Sequence, residues 1–344
     1  MPEKTLQAAI LEHYQDKSPV DIQGGQTRTF IGRQRRGIPL STSALNRVID
    51  YDPRELVVTV QAGTKLQTVL DLLDQENQML SFEPSILGEG STIGGMVATS
   101  MAGPRRLIAG GVRDSLLGCR IINGRGEILN FGGRVMKNVA GFDVSRLMAG
   151  SHGTLGLILQ VSLRVWPKPQ TEKTLWMTCN EAEAIETMTV LQRQYRNLSA
   201  LAYTDSRLFY RVSGPESAVT ALTQRIGGDP VEDASAFWTS IRDLQHPLLR
   251  TRPLSRIRIP CNTPPLSLNA PALIDWGGAL RWYPAAIDQS SETINLPRGR
   301  IDILQEEETI YQPLPAPLLQ LNKRLKAAFD PHHILNPDRL YPNL

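Results

Sequence analysis

Cysteine is scarce and scattered. Cys119, Cys179 and Cys261 are the three in 344 residues. They lie too far apart to form a disulfide framework or the closely spaced thiolates of an iron–sulfur cluster. Charge of one sign is also missing. The 37 lysines and arginines against 34 acidic residues leave a net charge of +3, which gives no electrostatic footprint for nucleic acid. The short runs RQRR (33–36) and PRR (104–106) read as solvated loops. No apolar run reaches 18 residues, and the opening MPEKTLQAAILEHYQDK is charged and helical, unlike the apolar core of a signal peptide. These absences predict a cytoplasmic setting. Aromatic residues make up 6% of the chain, so Trp276 and Trp282 read as packing residues and not as a base-stacking platform. There is no GxxxxGK[ST], and GEGSTI puts Ile93 where the last glycine of GxGxxG belongs, so neither a P-loop nor a Rossmann fingerprint is present.

What remains is an ordinary globular composition, 41% hydrophobic and 21% charged, in a chain long enough for two domains. The first half alternates short strands with helices. PVDIQ (19–23) and ELVVTVQAG (55–63) read as strands ended by glycine. TKLQTVLDLLDQENQML places Leu66, Val69, Leu70 and Leu73 on one helical face, with Thr64 as N-cap. LLGCRII and EILNFG read as a hairpin turned at Asn123-Gly124. VSLRVWPKPQ (161–170) runs a strand into a Pro-Lys-Pro connector, a domain boundary. Beyond it the order β-α-β-β-α-β resembles a ferredoxin-like unit. Asn180 and Glu183 open its first helix as a capping box, Pro215 starts the second, and PLSRIRIP (253–260) is the candidate closing strand. Residues 261–312 are Pro- and Gly-rich and give no clear pattern. APLLQLNKRLKAAFD is a final amphipathic helix.

Glycine is concentrated in three stretches of the first half, each beside regular structure. In IQGGQTRTFIG (22–32), Gly24 and Gly25 leave amides open next to Gln26 and Thr27, a concave anion site suited to a pyrophosphate. In GEGSTIGGMVATSMAG (88–103), Ser91 and Thr92 are capping residues, Ile93 starts a helix and Gly94-Gly95 fall in its first turn. Free amides and a positive dipole end there favour phosphate. In DVSRLMAGSHGTLGLI, a short helix capped by Asp143 stops at Gly150, and Gly153 and Gly156 lead into a strand. Each stretch alone reads first as a tight turn; three together point to a large phosphate-bearing ligand.

The same stretches, with STIGGMVATSMAGPRRLIAGGVRDSLLG and GGRVMKNVAGFDVSRLMAGSHGTLGLILQVSL in order, resemble the FAD-binding domain of the vanillyl-alcohol oxidase, or p-cresol methylhydroxylase (PCMH), type over residues 1–170. With GPRR, DWGGALRW (275–282) and the tail AFDPHHILNPDRLY, the chain resembles the FAD-binding (E) subunits of bacterial glycolate oxidases. The resemblance implies an α+β fold. Residues 1–170 would form a PCMH-type FAD-binding domain of two α/β subdomains, and 171–312 a smaller ferredoxin-like cap. Residues 313–344, a helix and tail, would return to the FAD domain. It also implies a non-covalent FAD, since Gln26 and Thr27 stand where covalent relatives place histidine. Its contacts would come from Gln23, Gly24, Gly25, Gln26, Thr27 and Arg28. Others would come from Ser91, Thr92, Ile93, Gly94, Gly95 and Thr99, and from Gly150, His152, Gly153, Gly156, Ile158 and Asn336. Lys137 and Asn138 stand open between flavin contact and solvated turn.

A flavin takes a hydride, so the protein must position the substrate and tune charge. A 2-hydroxy acid calls for an arginine on its carboxylate and a base for its hydroxyl. Arg281 is the first candidate for the cation and Arg256 the second, each with a structural salt bridge as the other reading. The base has no clear candidate. His152 reads as a cofactor-lining residue. His332 and His333 lie in the returning tail, and adjacent histidines without a third ligand make a poor metal site. The HxGDGN-like metal segment of catalytic relatives is missing.

Three functions follow. One is an FAD subunit that oxidises glycolate to glyoxylate in a complex with a sister FAD subunit and an iron–sulfur subunit, any membrane contact being made through the complex. The second is an FAD subunit that relays electrons or aids assembly while its sister does the chemistry. The third is a free-standing flavin oxidoreductase, which the tail and DWGGALRW argue against.

Overall fold

The computed structural model describes residues 2–133, 144–268, 270–287 and 299–344. Lys137, Asn138 and Asp143 lie outside them. In the first half, Val20–Gln23 pairs in parallel with Ile38–Ser41. A five-stranded sheet runs in the order Val48–Asp52, Val57–Gln61, Leu157–Arg164, Leu116–Ile122, Ile128–Gly132. One face of this sheet, through Val58, Val60, Val161 and Leu163, packs on Leu66, Val69 and Leu73 of the helix Leu66–Gln75, and on Ile93, Met96 and Val97 of the helix Ile93–Thr99. Burying each such side chain contributes about 1.5–3 kcal/mol. Two local expectations shift. The helix begins after Lys65, and Thr64 caps nothing, its hydroxyl donating instead to the Arg47 carbonyl at 3.2 Å. The hairpin turn spans five residues, because the Asn123 carboxamide oxygen accepts from the amides of both Arg125 and Glu127.

The second half forms a nine-stranded sheet, antiparallel at every pairing. Its order is Asp229–Pro230, Thr171–Thr178, Arg207–Gly214, Leu198–Thr204, Leu273–Asp275, Leu280–Tyr283, Leu254–Arg258, Arg300–Leu304, Thr309–Tyr311. The first four strands have the 4-1-3-2 order of a ferredoxin-like unit. The closing strand is a correction: the two-residue strand Asp229–Pro230 takes that edge, and Leu254–Arg258 sits well inside the other end of the sheet. Leu254, Ser255 and Ile257 are buried there, covered by partners on both sides. Residues 261–312 supply four of the nine strands. The Asn180–Glu183 capping box forms as expected.

The final helix Ala316–Phe329 is pinned by a buried lysine. Lys326 Nζ donates to the Thr154 carbonyl at 2.8 Å and to the Leu335 carbonyl and the Asp330 carboxylate at 2.7 Å. Burial lowers its pKa and Asp330 opposes that shift. The knot fixes the tail beside residues 151–156.

Candidate functional site

The loop after Val20–Gln23 is the barest stretch of backbone. Gly24, Gly25, Gln26, Thr27 and Arg28 give their amides to no acceptor among the described residues. Gln26 adopts a left-handed φ of 55°, the alternation that turns successive N–H groups toward one concavity. Gly25 must be glycine because a Cβ would lie 1.4 Å from the Gly90 carbonyl oxygen. Arg28 is buried beneath the loop. It donates to Ser91 Oγ at 3.1 Å and to the Ser85 carbonyl, while its Nε has no partner among the described residues. Burial pulls its pKa down to about 10, opposed by Asp243, so it stays charged.

The helix Ile93–Thr99 behaves differently from the expectation of free N-terminal amides. Ile93 donates to the Thr64 carbonyl at 3.0 Å and Gly94 to the Ala62 carbonyl at 2.7 Å, while Gly95 meets the Thr92 hydroxyl at 3.3 Å. The two glycines also divide their tasks. A Cβ on Gly94 would lie 2.8 Å from Ala62 Cβ, so that glycine lets the helix pack on the sheet. A Cβ on Gly95 would meet only Thr92 Oγ1, at 3.2 Å. Its bare side faces the cleft.

The third loop turns through Gly150, His152 and Gly153, with φ of 84°, 53° and 76°. A Cβ on Gly156 would press to 2.8 Å from Ile121 Cδ1, so this glycine seats the loop on the neighbouring strand. Asn336, from the returning tail, ties the first and third loops together. It accepts from the Ile22 amide at 2.7 Å and donates to the His152 carbonyl at 2.6 Å. Burial, with the guanidinium groups of Arg339 and Arg256, drives the His152 pKa down to about 3, leaving a neutral imidazole that is a weak base.

These loops line neighbouring parts of one region, which share Gly24, Gly95, His152 and Asn336. A narrow part is walled by Gln23, Gly24, Gly25, Gln26, Thr27, Arg28, Thr92, Gly95, Thr99, His152 and Asn336. A second part is walled by Gly24, Gly94, Gly95, His152, Gly153, Gly156, Ile158 and Asn336. Ile31, Thr99 and His152 are shared by the narrow part and a cavity of about 770 Å³ lined from both halves, where Gly150 also lies. Open amides, a buried guanidinium with a spare donor and Gly95's missing Cβ fit a dinucleotide diphosphate. Two expected contacts are corrected. Ser91 lies behind the wall, bonded to Thr27, Arg28 and the Leu87 amide, and the Ile93 side chain is fully buried in the apolar core.

The far wall of the large cavity is the second half's sheet. Pairing sets two cross-strand rows on one face. Trp282, Arg256, Asp302 and Tyr311 are successive partners, and beside them run Asp275, Leu280, Arg258 and Arg300. Except for Asp302, which lies behind the arginines, all of them line the cavity. Asp302 Oδ2 accepts from Arg256 Nη2 at 2.8 Å and Arg258 Nη2 at 2.6 Å. Burial opposes ionisation of Asp302, but the Arg256 and Arg258 charges outweigh it and hold its pKa below the usual value. Burial pushes the Asp275 carboxyl up to about 7, against a hydrogen bond from the Trp276 amide. Arg106 and Arg113 face the same space, with Arg106 stacked 4.5 Å from the Trp276 ring.

Arg281 is not in this wall. It alternates to the sheet's other face, fully buried, and donates to the carbonyls of Pro264 at 2.7 Å and Thr263. Arg256, the second candidate, is the one that reaches the cavity. His332 lies against Tyr14, ring centroids 4.5 Å apart, and His333 is exposed. Arg258, Arg300, Tyr311 and Asp275 line the cavity without having been among the residues expected from the sequence. The first two carry a signal, since Arg256/Arg258 and Arg300/Asp302 are each two residues apart, the spacing of one strand face.

Comparison with known proteins adds to this geometry. Residues 2–132 match the family described as FAD binding domain. The chain is 40% identical over 332 residues to glycolate oxidase subunit GlcE of Escherichia coli (strain K12), covering 96% of this chain and 94% of that one. It is 34% identical over 139 residues to glycolate oxidase subunit GlcD of Bacillus subtilis (strain 168), covering 40% of this chain and 29% of that one. In fold it resembles a solved alkyldihydroxyacetonephosphate synthase with a TM-score of 0.68 at 15% identity, over 97% of this chain and 75% of the other.

Proposed function

The chain belongs to the family of the glycolate oxidase subunit GlcE, as an FAD-binding subunit, and from this we propose that it takes part in oxidising glycolate to glyoxylate. Residues 1–170 hold the cofactor, 171–312 cap it, and 313–344 close the site. The observation that supports this best is a pair of adjoining cavities with shared walls at Ile31, Thr99 and His152, one bearing the open amides and the other an arginine-bearing sheet face. FAD would be held without a covalent link and would supply the hydride-accepting, two-electron chemistry that oxidation of a carbinol needs. The chain's residues do the rest. The amides of 24–28 and Arg28 take the diphosphate. Arg256, aimed by Asp302, takes the substrate carboxylate. Asp275, with a carboxyl suited to proton transfer near neutrality, accepts the hydroxyl proton as the carbonyl forms. His152 stays neutral and orients the cofactor side of the cavity.

No helix among the described residues is long and apolar enough to cross a membrane. The three scattered cysteines hold no cluster, so onward electron transfer falls to a separate iron–sulfur chain, alongside a sister FAD subunit, in the cytoplasm. The test is anaerobic mixing of the purified yellow chain with glycolate and with D-lactate. Bleaching of the flavin absorbance by glycolate is expected. A yellow chain that glycolate leaves unbleached assigns the chemistry to the sister subunit, and a colourless one removes the reading.

A further inference from the structure

We propose that a second cavity, apart from the glycine loops and sharing only Arg242 with the large cavity, is a binding site for a small phosphate-bearing anion. It measures about 540 Å³, a size that takes a metabolite-sized ligand. Both halves line it: Met79, Glu83 and Arg105 come from the first, and Lys168 and Pro169 from the connector. One wall is the second half's sheet, where Thr174 and Arg211 are cross-strand partners. Another is the helix Ala234–Arg242, through Ser235, Trp238, Thr239 and Arg242. Trp238 Nε1 donates to the Thr174 hydroxyl at 2.9 Å and holds that helix on the sheet.

Ion pairs in this lining satisfy one carboxylate and leave cationic edges open. Each half pairs its arginine with the other's acid. Arg105 Nη2 lies 2.6 Å from Glu172 Oε1, and Arg211 Nη2 lies 2.8 Å from Glu83 Oε1. Glu83 also accepts from Arg105 Nε at 3.2 Å and from the Arg105 amide at 2.8 Å, so both its oxygens are occupied. Arg211 Nε is held by Ser199 Oγ at 2.9 Å. Outside the lining, Asp243 fixes Arg242 through Nε and Nη2, and Asp74 pairs with Lys168. Arg211 Nη1, Arg242 Nη1 and the Thr239 hydroxyl then donate to nothing among the described residues, and none of these atoms is shut off from solvent. Arg211 borders this cavity and not the large one, so its open edge belongs here. Ser235, one helical turn before Thr239, adds an exposed hydroxyl. The lining carries four cations, Arg105, Lys168, Arg211 and Arg242, against Glu83 and Glu172, a net +2. Its open donors come from a strand and from successive turns of a helix. That set suits the several oxygens of a phosphate more than the two of a flat carboxylate. Met79, Pro169 and Trp238 offer apolar wall for an organic remainder.

The probes are inorganic phosphate, glycerol 3-phosphate and glycerol. Their binding to the purified chain is read by calorimetry at constant ionic strength, with FAD content and thermal midpoint measured on the same samples. Wild type is expected to bind both phosphates and not glycerol. A tighter hold on glycerol 3-phosphate assigns the site to an ester, and equal affinities assign it to free phosphate. Ser235→Asp puts a carboxylate among the donors at the second residue of the helix, where an acid suits the helix dipole. It should weaken phosphate binding about tenfold or more through like-charge repulsion. Ser235→Asn, of similar size without the charge, should stay within about threefold of wild type. FAD content and midpoint should be the same in all three proteins. The proposal is overturned if wild type binds neither phosphate, or if glycerol binds as well as its phosphate. It is overturned equally if Ser235→Asp binds phosphate as wild type does, which would place the anion elsewhere, in the diphosphate loops for example. Equal losses in Ser235→Asn and Ser235→Asp would also overturn it, since charge would not then be what the cavity reads.

Discussion

The side-chain amide of Asn336 donates to the carbonyl of His152 at 2.6 Å across 184 residues of sequence. The same carboxamide accepts from the Ile22 amide, so one side chain spans the first and third glycine loops and brings the tail against both. Replacing Asn336 with alanine removes both bonds and leaves two backbone groups unpaired, at a cost of about 1–3 kcal/mol each if water does not reach them. We expect Asn336→Ala to lower the thermal midpoint and to weaken FAD retention on dilution, read by flavin fluorescence. Full retention of both would mean that the tail does not hold the loops in place.

Arg256 and Arg281 sit on opposite faces of neighbouring strands, and their variants should separate cleanly. Arg256→Lys loses the planar fork that Asp302 aims. It should raise the glycolate concentration needed for half-bleaching at least tenfold with little change in urea midpoint. Arg281→Lys should leave half-bleaching unchanged and destabilise the fold, since two backbone carbonyls lose a matched donor. The reverse pattern would restore Arg281 as the substrate cation.

The glycine loops were legible in the sequence because their signals are local: bare backbone, capping residues and abrupt strand ends. The rest depended on partners far along the chain. The amides of Ile93 and Gly94 look free in GEGSTIGG, but the carbonyls of Thr64 and Ala62 that satisfy them lie about thirty residues earlier. Arg281 was misplaced by the parity of a four-residue strand, where a shift of one residue exchanges faces. Leu254–Arg258 resembled an edge-closing strand because nothing in 261–312 announced four further strands. Short strands rich in Pro and Gly neighbours are set by pairing more than by propensity. Tyr311 and Asp302 gained meaning only as register partners.

Asp275 gives a pH signature. Burial raises its folded pKa to about 7, above the unfolded value of 3.8. The native state therefore binds an extra proton between those values. The resulting stability is present at low pH and is lost as pH rises through 7. Asp275→Asn keeps an acceptor for the Trp276 amide without the charge. It should match wild type near pH 4 and exceed it by up to about 4 kcal/mol at pH 8 in urea unfolding, while glycolate no longer bleaches the flavin. Equal stability at both pH values would show that Asp275 ionises freely.

The central claim is that the bare backbone beside Gly95 makes room for the cofactor's diphosphate. Its most direct measurement is the FAD-to-protein ratio of Gly95→Leu, taken with circular dichroism and the thermal midpoint. A side chain there meets only the Thr92 hydroxyl before it enters the cleft. We predict a folded, colourless protein with a ratio below about one tenth of wild type, the loss of one favourable contact and the gain of a clash. A folded Gly95→Leu protein with its full complement of FAD would contradict the placement of the diphosphate and the function built on it.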